Sequence, residues 1–136
     1  CYLPLYIMCG DHVLCARLRQ ANQDAAAGSA GEVKRIVEQL RAAWPETQII
    51  LRADSGFCRE ELMRWCEDNR VDYVFGLARN VRLRKIIGAS LWQAGQQWQQ
   101  TGKAARVFTE FEYQTKRSKN RGWSRARRVV AKAEHI

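Results

Sequence analysis

The chain has 136 residues, of which 46% are apolar and 27% charged. That composition excludes a disordered or fibrous protein and fits a globular chain that buries roughly two thirds of its unfolded surface. Lys and Arg total 23 against 14 Asp and Glu, a formal net charge of +9, which points to a polyanionic partner such as nucleic acid. No apolar run approaches the roughly 20 residues of a membrane span, and the opening CYLPLYIMCG lacks the basic flank and cleavage pattern of a signal peptide, so the expectation is a cytoplasmic protein with no membrane partner.

Two short β-rich runs, CYLPLYIMC and HVLCARLR, flank Gly10 and Asp11, which reads as a tight hairpin. The loop NQDAAAGSAG follows, and Ser29 with Glu32 three places on has capping-box spacing. Val33, Ile36, Val37, Leu40 and Trp44 then form one helical stripe closed by Pro45. QIILRA reads as a fully buried strand ending at Asp54; Ser55, Gly56 and Phe57 make a turn, and a helix runs from about Arg59 to Asn69 with Leu62, Trp65 and Cys66 inward. DYVFGLA is the next buried strand, so strand, helix and strand predict a parallel βαβ unit. Beyond Asn80, Leu83, Ile86, Ile87, Leu91, Ala94 and Trp98 predict one helix despite Gly88 and Gly95. RVFTEFEYQTK and RARRVVAKAE alternate as antiparallel partners joined by the basic loop RSKNRGWS. The expected fold class is α/β, a mixed sheet in the order β-β-α-β-α-β over residues 1–80, then a helix and a basic β-hairpin over 81–136.

Five thiols, Cys1, Cys9, Cys15, Cys58 and Cys66, form no C-x-x-C pair and have no histidine at ligand spacing, which indicates free thiols rather than disulfides or zinc. Signatures of a nucleophile elbow, P-loop, dinucleotide fold or zincin are absent, and His12 and His135 lie in a turn and at the end. Asp54 at the end of a buried strand can bind a hard cation, act as a base or accept backbone N–H bonds in an Asx-turn. On spacing alone the turn role is favoured. Trp44, Trp65 and Trp98 read as core, whereas Trp92 and Trp123 sit among polar residues and are candidates for base stacking. Lys116, Arg117, Lys119, Arg121, Arg125, Arg127, Arg128 and Lys132 form the densest basic patch. With few acids interleaved, phosphate contact is favoured over a solvated hairpin face.

The run ILRADSGFCREELMRWCEDNRVDYVFGLARN, with its R-x-D-S-G-F turn and D-Y-V-x-G-L-A-R-N strand, resembles the second-aspartate block of DDE transposases of bacterial insertion sequences. CYLPLYIMCGDHVLCARLR and RRVVAKAEH are similar to its flanking parts. The resemblance implies an RNase H-like core, a nucleoid-associated bacterial protein, and DNA (transposon ends) as partner. It implies that Asp54 is the second catalytic carboxylate, binding Mg²⁺ (or Mn²⁺) ions that serve phosphodiester cleavage and strand transfer. Residues from about Val81 are similar to the start of a β-rich insertion that contacts the transposon end. The first aspartate is expected before Cys1 and the glutamate beyond Ile136, so the chain is expected to be an internal fragment, inactive alone, that self-associates through an exposed sheet edge. Two other readings stay open: a stand-alone basic nucleic-acid-binding module without catalysis, and a protein-interaction domain.

Overall fold

A computed structural model describes residues 1–115 and 122–136. The chain divides into two compact units, Cys1–Leu77 and Ala78–Ile136. Its described strands and four α-helices make a mixed α/β architecture.

In the first unit, β1 (Leu5–Cys9) and β2 (His12–Arg17) form an antiparallel hairpin turned at Gly10, whose φ of 56° suits glycine. A register shift between Ile7 and Met8 bends the ladder. Behind it, the buried Arg19 guanidinium donates to the carbonyls of Leu3, Ala25 and Ala27 at 3.2, 2.9 and 2.7 Å. One side chain thereby ties the loop before α1 (Ser29–Ala43) to the hairpin.

The capping box does not form. Gly28, in the left-handed region, takes the N-cap place; Ser29 Oγ donates to the Ala26 carbonyl, and Glu32 accepts instead from Arg17 and Arg35 at 3.1 Å each. The Arg35 hydrogen bond, joined by the Arg17 charge, holds the Glu32 carboxyl below its ordinary range. Two available guanidiniums outcompete the backbone N–H that a capping glutamate would serve.

β3 (Ile50–Ala53) and β4 (Asp72–Phe75) pair in parallel, with Ile50 opposite Asp72 and Ala53 opposite Phe75, as the βαβ spacing predicts. Between them lie a 3₁₀ turn, Ser55–Phe57, and α2 (Glu60–Asp68). Arg41 at the end of α1 donates to the Asn69 and Arg70 carbonyls beyond α2, where a cation suits a helix C-terminus.

The core of this unit is Val33, Val37, Leu62, Cys66 and Val71, with Ile7, Leu51, Phe57, Tyr73 and Phe75 packed against it. Leu51, Tyr73 and Phe75 come from the inner face of the parallel pair. The outer face is uncovered, with Ile50 62% and Val74 63% exposed, so the two strands expected to be fully buried are buried on one face only. The expected single mixed sheet is likewise replaced, among the described residues, by three two-stranded sheets. Asp72 and Gly76 donate to the carbonyls of Ile49 and Ala53. The peptide groups of Ile50 and Arg52 therefore point away from β4, along an unpaired edge.

Cys66 has no exposed surface. Burial, reinforced by the Glu67 charge, pushes its thiol from 9.0 up to about 11. The folded thiol thus titrates above the unfolded one, and its contribution to stability is full below about pH 9 and is lost as pH rises through the folded value. Alkylation of the native chain at pH 8 is expected to label the exposed Cys1 and Cys9 while sparing Cys66 until denaturant is added. Equal native labelling of Cys66, read by peptide mass mapping, would refute its core placement.

In the second unit, α3 (Val81–Ile86) and α4 (Gly88–Thr101) replace the single expected helix. Ile87 leaves helical geometry at φ −89° and ψ 9°, just before Gly88. The hydrogen-bond ladder nevertheless crosses the joint, from Ile87 N–H to the Leu83 carbonyl and from Leu91 N–H to the Ile87 carbonyl. Asn80 caps α3, its side chain accepting from Leu83 N–H at 2.9 Å. β5 (Ala105–Tyr113) and β6 (Arg127–His135) form the predicted antiparallel hairpin, in register from Ala105 opposite His135 to Tyr113 opposite Arg127. α4 packs on both strands, and Trp98 stacks obliquely on His135 with centroids 4.6 Å apart.

Of the tryptophans expected in the core, Trp65 is half-buried, but Trp44 is 61% and Trp98 37% exposed.

Candidate functional site

Asp54 stands at the C-terminal end of β3. Its extended backbone (φ −76°, ψ −176°) turns the chain into the 3₁₀ segment, and Oδ1 accepts from Gly56 N–H at 2.7 Å. The Asp54 carbonyl accepts from Phe57 N–H at 3.2 Å, so the aspartate closes the turn twice. This is the Asx-turn that spacing alone favours. It also fixes an exposed carboxylate in the place where open α/β sheets put chemistry, beyond the strand end.

β4 presses on the turn from the side. Gly76 donates to the Ala53 carbonyl at 3.0 Å, and a Cβ on Gly76 would lie 2.8 Å from Ser55 N and 3.2 Å from the Asp54 carbonyl carbon. Glycine is required there because one backbone passes against another. Beyond the turn, Arg59 pairs with Asp24 at 2.9 Å.

The residues present do not by themselves fit a divalent ion. Among the described residues no three His, Cys, Asp or Glu side chains cluster as a metal set, and one Asp54 oxygen is occupied by Gly56 N–H. A hard cation such as Mg²⁺ needs further acidic or phosphate oxygens.

The basic residues separate into three groups. Lys116, Arg117, Lys119 and Arg121 lie outside the described residues. Trp123 and Arg127, both expected on a nucleic-acid surface, are buried at 6% and 7% exposure. The Trp123 ring meets Tyr113 edge-on at 5.8 Å, and the Arg127 guanidinium lies over it at 5.6 Å from the centroid. Backbone groups lock the same indole in place, through Trp123 N–H to Thr115 Oγ1 at 2.8 Å and Gln114 Nε2 to the Trp123 carbonyl at 2.9 Å. Arg125 is exposed.

Arg128 and Lys132 stand on the outer hairpin face, but not as an uncompensated patch. Arg128 pairs with Glu110; Lys132 pairs with Glu134 at 2.9 Å, and Arg106 pairs with Glu134 from the other strand. Hydrogen bonds from Lys132 and then Arg106 hold the Glu134 carboxyl below its ordinary range. Arg106, Arg128 and Lys132 thus share the face with Glu110, Glu112 and Glu134, three cations against three anions. Alternation spreads the three acids along β5 and β6, yet pairing of the strands brings all of them to one side.

Among the described residues, charge without acids beside it gathers around α3. From Ala78 to Thr109 the sequence has no acid, but it has Arg79, Arg82, Arg84, Lys85, Lys103 and Arg106. Arg79, Arg84 and Lys85 are exposed on or beside α3, residues that the density of the later basic run hid. The acid-free stretch was their signal.

No curated protein and no solved structure matches the chain. The family model for transposase DDE domain group 1 matches residues 1–136.

Proposed function

Because the chain belongs to the transposase DDE domain group 1 family, we propose that it is part of a DNA-cleaving and strand-transferring domain in which Asp54 supplies one carboxylate of the phosphodiester site. The observation carrying this reading is the position of Asp54, exposed at the end of a parallel strand and held by two turn hydrogen bonds. Element order in Cys1–Leu77 supports an RNase H-like core: antiparallel hairpin, helix, strand ending at Asp54, helix, parallel strand. On this reading the remaining acidic groups of the site lie outside residues 1–136, as the resemblance implies. Within this chain, Asp54 positions its carboxylate through the Gly56 N–H, and the close passage of Gly76 keeps the strand end rigid. The partner is DNA, which the basic second unit suits: Ala78–Ile136 carries 14 Lys or Arg against 3 acids, and Cys1–Leu77 carries 9 against 11.

The test is cleavage of terminal-repeat DNA. A transposase containing this chain is expected to lose Mg²⁺-dependent strand cleavage on Asp54→Asn while still binding the DNA, and the purified 136-residue chain is expected not to cut. Mg²⁺-dependent nicking by that chain, abolished by Asp54→Ala, would refute the incomplete site. Full cleavage by the Asp54→Asn transposase would refute the role of Asp54.

A further inference from the structure

We propose that, among the described residues of the second unit, the main phosphate-contacting surface is the exposed side of α3 and α4, with Arg84, Lys85 and Trp92 and with Arg79 just before α3, rather than the outer face of the β5 and β6 hairpin. The proposal rests on DNA being the partner, and it assigns that contact to residues the sequence pattern had passed over. Three observations carry it.

Compensation comes first. Cations that already hold carboxylates gain less from phosphates, because a new contact must replace an existing one. The hairpin face has three acids for its three cations, with Arg106, Arg128 and Lys132 all in ion pairs. Arg79, Arg84 and Lys85 are exposed, lie in a stretch with no acid, and make no ion pair among the described residues.

Geometry comes second. Leu83 and Ala94 mark the buried side of the two helices. At about 100° per residue, Val81 and Lys85 fall opposite Leu83 on α3 with Arg84 on the flank, and Trp92 falls opposite Ala94 on α4. The ladder bonds across Ile87 continue the helical path through the joint. Along that path the exposed side of α3, with Lys85, leads into the exposed side of α4, with Trp92.

Exposure of apolar groups comes third. Val81 and Trp92, 72% and 69% exposed, lie on that exposed side. A large exposed indole beside uncompensated cations is the pairing that binds nucleic acid, with phosphates on the charges and a base or sugar on the ring. Of the two tryptophans that the sequence offered for base stacking, Trp123 enters the core and Trp92 stays on the surface.

α3 is also held firmly enough to present these charges. Arg82 is committed to structure, donating to the Gln114 carbonyl at 2.8 Å with its guanidinium 4.8 Å from the Tyr113 centroid. Asn80 Nδ2 reaches the Tyr113 hydroxyl at 3.3 Å. Arg82 therefore anchors the helix while its neighbours face outward.

The experiment measures binding of the 136-residue chain to a fluorescein-labelled DNA duplex with a single-stranded overhang, by anisotropy across a salt series. Arg79→Gln/Arg84→Gln/Lys85→Gln is expected to lower the slope of log K against log salt by roughly 2 to 3, since each phosphate contact contributes about 0.9. The double change Arg79→Lys/Arg84→Lys is expected to retain the slope, and Arg128→Gln is expected to leave it unchanged. DNA is expected to quench tryptophan emission in the wild type, with most of that quench absent from Trp92→Phe. Salt-dependent binding with an unaltered slope in the Gln variant, or an equal loss in Arg128→Gln, would overturn the assignment to α3. Absence of any salt-dependent binding by the wild-type chain would instead sink the DNA reading itself, and this proposal with it.

Discussion

Trp123→Ala is expected to destabilise the Ala78–Ile136 unit by about 3–5 kcal/mol, the range for removing a buried large aromatic side chain. The indole is 6% exposed, meets Tyr113 edge-on, lies under the Arg127 guanidinium and is tied to Gln114 and Thr115 through its own peptide groups. Its loss removes ring contacts from Tyr113 and leaves Arg127 buried without its aromatic face. Against a total stability on the order of 5–15 kcal/mol for a folded domain, such a change lowers a small unit's melting midpoint by tens of degrees at about 4–8 °C per kcal/mol. Near-ultraviolet circular dichroism during a thermal melt reads this directly, and Trp123→Phe is expected to recover part of the loss because an edge contact with Tyr113 survives. An unchanged melt combined with weakened DNA binding would show the opposite, that Trp123 acts at the surface as a stacking platform.

That contrast also shows how much of the molecule was legible in its sequence. Local signals were readable where one period dominates: the Gly10 turn, the stripe from Val33 to Leu40, the βαβ spacing around Asp54 and the alternation from Val107 to Tyr113 all correspond to elements of the fold. What failed depended on partners distant in sequence. Glu32 has the spacing of a cap, but Arg17 lies fifteen residues earlier and claims its carboxylate. Ile50 and Val74 belong to continuous apolar runs that resemble strands covered on both faces, yet α1 and α2 cover only one.

Charge reading failed for the same reason. Arg128 and Lys132 look uncompensated along the chain because their carboxylates arrive across the ladder or from two residues on. Trp123 is flanked by Gly122 and Ser124 and looks exposed, but Tyr113 at the end of β5 meets its ring. Asp54 is the reverse case: its Asx-turn was readable locally, whereas its chemical role rests on the resemblance and not on any geometry that six or seven residues can encode.

The second large effect is expected at Gly76, whose contacts are with backbone and cannot yield cheaply. A Cβ added there would sit 2.8 Å from Ser55 N, 3.2 Å from the Asp54 carbonyl carbon and 3.4 Å from Ser55 Cα. Gly76→Ala therefore forces β4 and the Asp54 turn apart, threatening the Gly76 N–H bond to the Ala53 carbonyl, at a cost of about 1–3 kcal/mol for overpacking. Gly56→Ala gives the informative contrast. Its Cβ would lie 2.9 Å from Asp54 Oδ1, a side-chain atom that can swing aside, so the cost is about one lost hydrogen bond, roughly 0.5–1.5 kcal/mol. Chemical denaturation of both variants ranks them, and Gly76→Ala must be the less stable. In a transposase containing this chain the two changes also separate shape from stability, because Gly56→Ala releases the carboxylate from its turn while Gly76→Ala moves the whole strand end. If cleavage falls more steeply than stability in Gly56→Ala, the fixed orientation of the Asp54 carboxylate is what the reaction requires; if cleavage follows stability alone in both, the turn serves only to close the strand.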